Sequence, residues 1–291
     1  MRLTHKYYHF IAILIVTIWG VTFISTKVLI NNGLTPQEIF LYRFVISYIG
    51  IWLISPHRLF TNSFKDELWL AAGGFFGGAL YFFTENTALG ITQTTNVAFI
   101  VCTAPLLTTI LSLIFYKNEK ATKGLILGSI LALVGVALVV FNGSFVLKLS
   151  PLGDLLTLCA ALSWAFYSLI IKKMAGRYST VFITRKIFSY GILTILPAFL
   201  LKPLQPDISV LLQPAVMFNL LFLAVVASLI CFVVWNVVLK QLGTVKASNY
   251  IYLNPLATMV ASAIVLHERM TPMAFVGAGC ILLCVFLAEK K

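Results

Sequence analysis

The chain has 291 residues, of which 60% are hydrophobic and only 10% are charged, and its mean hydropathy is +0.99. A water-soluble domain keeps about 25% of its residues charged to cover its exterior, so these proportions exclude a soluble fold. The net charge of +12 has three possible explanations: binding of a nucleic acid, binding of an anionic lipid surface, or a signal that orients the chain in a membrane. The positions of the charges along the chain decide between these three.

Continuously apolar runs, such as residues 11–18 and 131–141, lack the alternation of a transmembrane β-barrel and are typical of membrane-spanning helices. Breaks at charged, glycine and proline positions divide the chain into ten predicted helices. In chain order they are 7–30, 36–54, 67–89, 93–115, 122–141, 152–171, 180–201, 215–238, 247–266 and 272–288. The short connections leave no room for a soluble domain. We therefore expect an all-α, polytopic membrane protein.

With ten spans, both termini lie on one side of the membrane. Sixteen of the 21 Lys and Arg residues fall on that side, three on the other side and two within spans, which predicts cytoplasmic termini by the positive-inside rule. The sixteen are Arg2, Lys6, Arg58, Lys65, Lys117, Lys120, Lys123, Lys172, Lys173, Arg177, Arg185, Lys186, Lys240, Lys246, Lys290 and Lys291; the three are Lys148, Lys202 and Arg269; the two are Lys27 and Arg43. The positive charge is thus explained by the orientation of the helices in the membrane, and no nucleic-acid partner is predicted.

The two halves of the sequence resemble each other. Arg43-Phe-Val-Ile-Ser-Tyr48 in the second helix returns as Arg185-Lys-Ile-Phe-Ser-Tyr190 in the seventh. Ala104-Pro105-Leu106 in the fourth helix returns 150 residues later as Asn254-Pro255-Leu256 in the ninth. Five helices per half is an odd number, so the second half must enter the membrane in the opposite orientation. Such inverted repeats are typical of secondary transporters, whose substrate site lies at the midplane between the repeats.

The order of these residues is similar to that of a known family. Each half carries a tryptophan in its first helix, an arginine in its second, a proline-centred fourth helix, a glutamate in the next turn and a glycine in the fifth helix. These residues are Trp19, Arg43, Pro105, Glu119 and Gly128, then Trp164, Arg185, Pro255, Glu268 and Gly277. This pattern resembles the EamA-type branch of the drug/metabolite transporter superfamily, over about residues 10–288.

The resemblance implies ten helices in a five-plus-five inverted repeat, with EamA-like repeats at 1–145 and 146–291. It also implies carriage of small metabolites, amino acids among them, across the plasma or bacterial inner membrane, often outward. One departure is that Ala104 precedes the first proline whereas Asn254 precedes the second. Any polar contact at that position therefore belongs to one half only.

Glu85 is the carboxylate predicted to lie well inside a span, where a charge costs about 2.5–3.5 kcal/mol on insertion scales. Lys27 and Arg43 are predicted at a similar depth. Two interpretations remain open: a structural ion pair of Glu85 with Arg43 or Lys27, or a cavity-facing Glu85 that couples transport to protons or binds a substrate amine. The residue 150 positions later is Trp235, so the chemistry of the two halves differs.

Other polar and aromatic side chains are expected to line the cavity between the repeats. With Glu85, the predicted substrate-binding residues are Trp19, Tyr81, Asn86, Asn96, Trp164, Tyr167, Trp235, Asn236, Asn249, Tyr250 and Asn254. The alternative for each is packing or interhelical hydrogen bonding. Pro105 and Pro255, predicted mid-span, act either as hinges or as kinks needed only for packing.

The five cysteines lack metal-site or disulfide spacing, so neither a metal nor a cofactor is predicted. Small-residue pairs in the third and fifth helices predict close packing within a monomer, with a dimer as the alternative.

No catalytic motif is present in the sequence. We therefore expect a carrier in the lipid bilayer for a small-molecule substrate, and protons are a candidate partner. A proton-independent facilitator or channel is the alternative, and an intramembrane enzyme is less favoured. An amino acid, an amine, a nucleoside or a sugar would each suit as substrate.

Overall fold

A computed structural model describes residues 5–55, 59–92, 94–116, 123–141, 150–265 and 271–289, and the regular secondary structure of these residues is helical. The helices, with internal segments in parentheses, are α1 (His5–Asn31), α2 (Pro36–Ile54), α3 (Phe64–Gly74, Phe75–Leu80, Tyr81–Ile91), α4 (Thr94–Val101, Ala104–Phe115), α5 (Lys123–Phe141), α6 (Pro151–Met174), α7 (Thr180–Ile195, Ala198–Leu201), α8 (Pro214–Leu221, Phe222–Ile230, Cys231–Leu242), α9 (Thr244–Asn249, Tyr250–Leu253, Asn254–Val265) and α10 (Pro272–Glu289). A short helix, Ile208–Leu211, lies between α7 and α8. Each helix overlaps the predicted range of the same number. Among the described residues, six helices are long and apolar enough to cross a membrane.

Local sequence signals set the helix ends. At the start of α2 the Thr35 hydroxyl accepts a hydrogen bond from the Glu38 N–H, and the Glu38 carboxylate accepts one from the Thr35 N–H, which is a capping box. Ser63 and Ser179 cap α3 and α7 more simply, because each hydroxyl accepts a hydrogen bond from a backbone N–H of the first turn. Between α8 and α9, Gly243 has a φ of 83°, a left-handed conformation that favours glycine. The chain can therefore reverse there without strain.

The two prolines mark breaks rather than kinks in continuous helices. In α4 the first segment ends at Val101, and Pro105 occupies the first turn of the next segment. In α9 a 3₁₀ turn precedes the segment Asn254–Val265, in which Pro255 is the second residue. A proline is accommodated at a helix start because the missing N–H would have no intrahelical partner there. The carbonyl four residues before Pro255, that of Ile251, lies 3.8 Å from the Cys102 sulfur, which donates to it.

Both α3 and α8 contain a π-helical segment, Phe75–Leu80 and Phe222–Ile230. Side chains from the other half of the molecule donate to carbonyls in these segments. The Ser163 hydroxyl of α6 donates to the Phe76 carbonyl at 2.7 Å, and the Trp19 indole of α1 donates to the Ala227 carbonyl at 3.0 Å. Because a π segment weakens the regular α-helical ladder, its carbonyls are suited to such partners. These bonds therefore tie α1 to α8 and α6 to α3.

Glycines allow the closest approaches between helices. In the crossing of α5 and α10, a Cβ on Gly277 would lie 2.6 Å from the Gly135 carbonyl oxygen. In α3, a Cβ on Gly77 would lie 2.1 Å from the ring of Tyr167 in α6. The small-residue stripe of α3 thus packs against α6 and α7 of this same chain.

Several predicted features lie outside the described residues. They are the polar turns 117–120 and 267–269, with Glu119 and Glu268, and the cations Arg2, Arg58, Lys117, Lys120, Lys148, Arg269, Lys290 and Lys291. The cations that are described include Arg185 and Lys186, which are only 2% and 8% exposed. They are counted among the cations of the predicted cytoplasmic side, and their side chains are enclosed by the α2–α3 connection, as described below.

Candidate functional site

A cavity with about 480 Å³ of empty space, including its open mouth, lies where both halves meet. Helices α1 to α4 of the first half and α6, α8 and α9 of the second contribute to its wall. Six predicted functional residues line it: Trp19, Arg43, Tyr81, Glu85, Trp164 and Asn254. Binding sites for small molecules typically combine apolar walls with a few polar groups. The lining therefore suits a small organic ligand.

Glu85 and Arg43 place opposite charges in this wall. The Tyr81 hydroxyl, one helical turn before Glu85, donates to its carboxylate at 2.7 Å. Arg43 donates from Nε to the Ser228 hydroxyl of α8, and its guanidinium carbon lies 4.2 Å from the centre of the Phe82 ring. Glu85 and Arg43 interact electrostatically. Both side chains are buried, so each charge depends on these partners and on whatever occupies the cavity.

The ion pair of Glu85 with Arg43 or Lys27, one of the two interpretations left open, involves no direct contact among the described residues. Among the described residues, neither Arg43 nor Lys27 has a nitrogen within 4.0 Å of a Glu85 oxygen. The Lys27 ammonium instead donates to the Leu89 carbonyl near the end of α3, at 2.6 Å. That carbonyl belongs to the last turn of a helix, where it lacks an intrahelical partner and favours a cation. Lys27 therefore supports the end of α3 and does not line the cavity.

Aromatic rings form most of the remaining wall. The rings of Trp19 and Trp164 lie 5.3 Å apart at 88°, and Tyr81 lies 5.2 Å from Trp164. Phe232 of α8 lies 5.8 Å from Trp164 and 6.0 Å from Trp19. Edge-to-face arrangements of this kind are the preferred geometry of aromatic pairs. They hold the ring positions fixed around the cavity.

Phe82 and Phe232 both line the cavity and were missed by the sequence analysis. They are 150 residues apart, which is the offset that relates Pro105 to Pro255. Applying that offset to aromatic as well as polar positions would have identified them. The lining residues Thr22, Phe23, Val101, Ala104 and Ile251 carry no comparable signal, because small and apolar side chains are common throughout the spans.

Three predicted amide or tyrosine residues connect helices instead of lining the cavity. The Tyr167 hydroxyl of α6 donates to Asn236 Oδ1 of α8 at 2.7 Å, and Asn236 Nδ2 donates to the Thr184 hydroxyl of α7 at 2.8 Å. Asn86 Nδ2 donates to the Pro36 carbonyl at 3.3 Å. These contacts match the interhelical alternative considered for them.

Four further predicted residues are buried but are not among those that line the cavity. Trp235 packs behind Trp19, with ring centres 5.1 Å apart. The Tyr250 hydroxyl hydrogen-bonds to His9 Nδ1 at 2.5 Å. Asn96 and Asn249 lie buried in α4 and α9. The cavity thus brings together five of the twelve predicted substrate-binding residues, together with the predicted charged residue Arg43.

A second polar cluster joins the start of α3 to the α6–α7 connection and α7. Arg177 and the Tyr178 hydroxyl donate to the two oxygens of Asp66, at 2.7 and 2.8 Å. Lys186 forms an ion pair with Glu67. The hydrogen bond from Tyr178, helped by the charge of Arg177, lowers the pKa of Asp66 below its ordinary value. This cluster was not predicted from the sequence, because the cations there served only to indicate topology.

Next to this cluster, the Arg185 guanidinium donates a hydrogen bond to the Ser55 carbonyl at the end of α2. Lys186 also donates to the Leu59 carbonyl at 3.2 Å. Both cations therefore bind the connection between α2 and α3. Together with Asp66 and Glu67 they link the two halves at the end of the molecule that carries this connection.

Comparison with known proteins identifies the family. A model of the EamA-like transporter family matches residues 6–141 and, a second time, residues 151–289. The chain belongs to the EamA-like transporter family. This membership, with the apolar helices, makes it a multi-pass transmembrane protein of the drug/metabolite transporter type, and it points to a transporter rather than an enzyme.

Relatives of this EamA-like transporter extend over nearly the whole chain. An uncharacterized transporter of Archaeoglobus fulgidus is 25% identical over 97% of this chain and 97% of its own length. A protein of Escherichia coli (strain K12) named as a probable amino-acid metabolite efflux pump is 24% identical over 95% of this chain and 93% of its own length. A solved crystal structure, 16% identical, superposes with a TM-score of 0.72 over 99% of this chain and 97% of that one, which shows a shared fold.

Proposed function

We propose that this EamA-like transporter is a secondary carrier that exports an amino acid or a related small metabolite across the cytoplasmic membrane by alternating access. The observation that carries the proposal is the buried cavity between the halves, with Arg43, Glu85 and an aromatic wall. A carrier needs a site that both halves enclose, because their relative movement must expose it to one side at a time. The name of the Escherichia coli relative supports an amino-acid metabolite as substrate.

The proposed architecture has ten spans in two inverted repeats of five, 1–145 and 146–291, with both termini in the cytoplasm. The distribution of Lys and Arg supports this orientation. The paired breaks at Pro105 and Pro255 and the paired π segments in α3 and α8 support the repeat, since each recurs in the equivalent helix. In a bacterial cell such a protein belongs to the inner membrane.

In this orientation the Asp66–Glu67 cluster lies at the cytoplasmic end. Its bonds to Arg177 and Lys186 link α3 of one half to the α6–α7 region of the other. We propose that these bonds break when the cytoplasmic entrance opens. Ion pairs suit that purpose because water can solvate the separated charges.

Glu85 is the proposed site of proton coupling. It is 6% exposed, it accepts a hydrogen bond from Tyr81, and it faces the cavity where a substrate ammonium would bind. A buried carboxylate without a direct cationic partner is costly when ionised, so protonation and binding of a cationic group are alternatives that compete for it. Competition of this kind exchanges a proton for a substrate.

The test is flux into proteoliposomes that contain purified protein. A carrier preloaded with unlabelled amino acid takes up labelled amino acid faster than an empty control, whereas a channel shows no such exchange. An imposed pH gradient should drive flux in the wild type, and Glu85→Gln should abolish that dependence while exchange persists. Glu38→Gln is the control, because Glu38 is a buried carboxylate that binds the Thr35 cap and lies outside the cavity wall. Exchange absent for every amino acid tested would refute the carrier, and an unchanged pH dependence in Glu85→Gln would refute the coupling.

A further inference from the structure

Two residues of the cavity wall each carry a buried polar atom that has no hydrogen-bond partner among the described residues. The two atoms are the indole Nε1 of Trp164 and the amide Oδ1 of Asn254. The two side chains are only 5% and 6% exposed. Buried polar groups are nearly always paired, because an unpaired one loses its bonds to water without replacement. These two atoms therefore require a partner that the described chain does not supply.

The polar groups beside them are satisfied within the chain. Trp19 Nε1 donates to the Ala227 carbonyl, and the Tyr81 hydroxyl donates to Glu85. The Trp164 donor and the Asn254 acceptor thus remain as buried neutral polar atoms without a partner among the described residues of the wall. Since one donates and the other accepts, the occupant must offer both an acceptor and a donor.

The charges in the wall restrict the occupant further. Arg43 and Glu85 carry opposite charges in the same cavity, so the wall has no net charge from these two residues. A ligand with a net charge would leave one charge uncompensated in a buried, weakly polar space, which is unfavourable. Phe82, Phe232 and the tryptophan rings supply the apolar remainder. The matching ligand is net-neutral, with an acceptor and a donor attached to an apolar body.

We infer that Trp164 and Asn254 are the residues that determine substrate specificity, and that they select a zwitterion with an apolar side chain over amines and carboxylates that share the same side chain. The inference rests on the proposed function, since it assigns the atoms that recognise the substrate of the proposed carrier. Trp164 Nε1 donates to the carboxylate of the ligand, and Asn254 Oδ1 accepts from its ammonium.

The experiment measures thermal stabilisation of the purified full-length protein by six probes. They are leucine and phenylalanine, the amines isoamylamine and phenethylamine, and the carboxylates 4-methylpentanoate and 3-phenylpropionate. A ligand that binds only the folded state stabilises it by RT ln(1 + [L]/Kd), so the rise in melting temperature with ligand concentration gives an apparent Kd. We expect at least one of the two amino acids to bind about tenfold or more tightly than its amine and carboxylate analogues, because each analogue leaves a wall charge and a hydrogen-bonding atom without a partner.

Trp164→Phe and Asn254→Leu remove the unpaired atoms while keeping most of the side-chain volume, and each should weaken amino-acid binding by about tenfold. The matched controls are Trp235→Phe and Asn249→Leu. Trp235 Nε1 and Asn249 Nδ2 are also buried without a partner among the described residues, but neither side chain lines the cavity. These controls should bind like the wild type, and their own melting temperatures show whether such substitutions impair folding.

Three results would overturn the inference: analogues that bind as tightly as the amino acids, Kd values unchanged in Trp164→Phe and Asn254→Leu, or equal losses in the controls. Failure of all six probes to stabilise the wild type would also overturn it. The carrier proposal is judged separately by exchange flux with a wider set of amino acids. Exchange of a strongly polar amino acid without binding of leucine or phenylalanine would therefore refute the inference alone.

Discussion

Replacing Gly277 by alanine tests how closely α5 and α10 pack. An added Cβ would lie 2.6 Å from the Gly135 carbonyl oxygen, 2.7 Å from the Leu138 Cβ and 2.8 Å from the Val139 amide nitrogen. All three atoms belong to the α5 backbone or are attached directly to it, so no rotamer change can make room. The two helices must separate, and overpacking of this kind costs about 1–3 kcal/mol.

Gly279→Ala is the matched control, because a Cβ at Gly279, two residues later in α10, meets no atom within 4 Å. Both substitutions gain the helix propensity of alanine over glycine, about 1 kcal/mol, so this contribution cancels between them. The difference between the variants isolates the overpacking, about 2 kcal/mol, or about 5 °C in apparent Tm for a chain of this size. Thermal unfolding in detergent measures it. A Gly277→Ala protein as stable as Gly279→Ala would show that the helices cross at another point.

Two further predictions concern polar contacts between the halves. Ser163→Ala should lower the free energy of unfolding by about 1 kcal/mol, because the Phe76 carbonyl of the π segment loses its donor, and Ser209→Ala at an exposed site should have little effect. Asp66, whose pKa is lowered by Tyr178 and Arg177, stabilises the folded state above the ordinary aspartate pKa of about 4 and loses this effect as the pH falls through its folded-state pKa. The apparent Tm should therefore decline in acid more steeply for the wild type than for Asp66→Asn, and parallel curves would contradict the proposed bonding.

The positions of the helices could be predicted because long apolar runs bounded by Pro, Gly and charged residues have few other solutions in a membrane. The π segments could not, since residues 75–80 and 222–230 lie inside continuous apolar runs where one extra residue per turn leaves no periodic signal. Arg185 and Lys186 show the limit of charge counting. Positive charge near a helix end indicates topology, but it does not reveal whether the side chain reaches water or is enclosed by a neighbouring connection.

The repeat predicts the backbone of the site better than its chemistry. The 150-residue offset places Phe82 and Phe232 on the same cavity, yet it pairs the lining residue Glu85 with Trp235, which packs behind Trp19. It likewise pairs Ala104 with Asn254, so an unpaired amide faces the cavity from one half only. Two similar halves supply a symmetric framework for exposing the site to either side, whereas recognition of a zwitterion requires unlike groups at its two ends. Residue differences between the halves therefore allow a duplicated fold to bind a ligand whose two ends differ. Relatives with different substrates should differ from this chain at these positions.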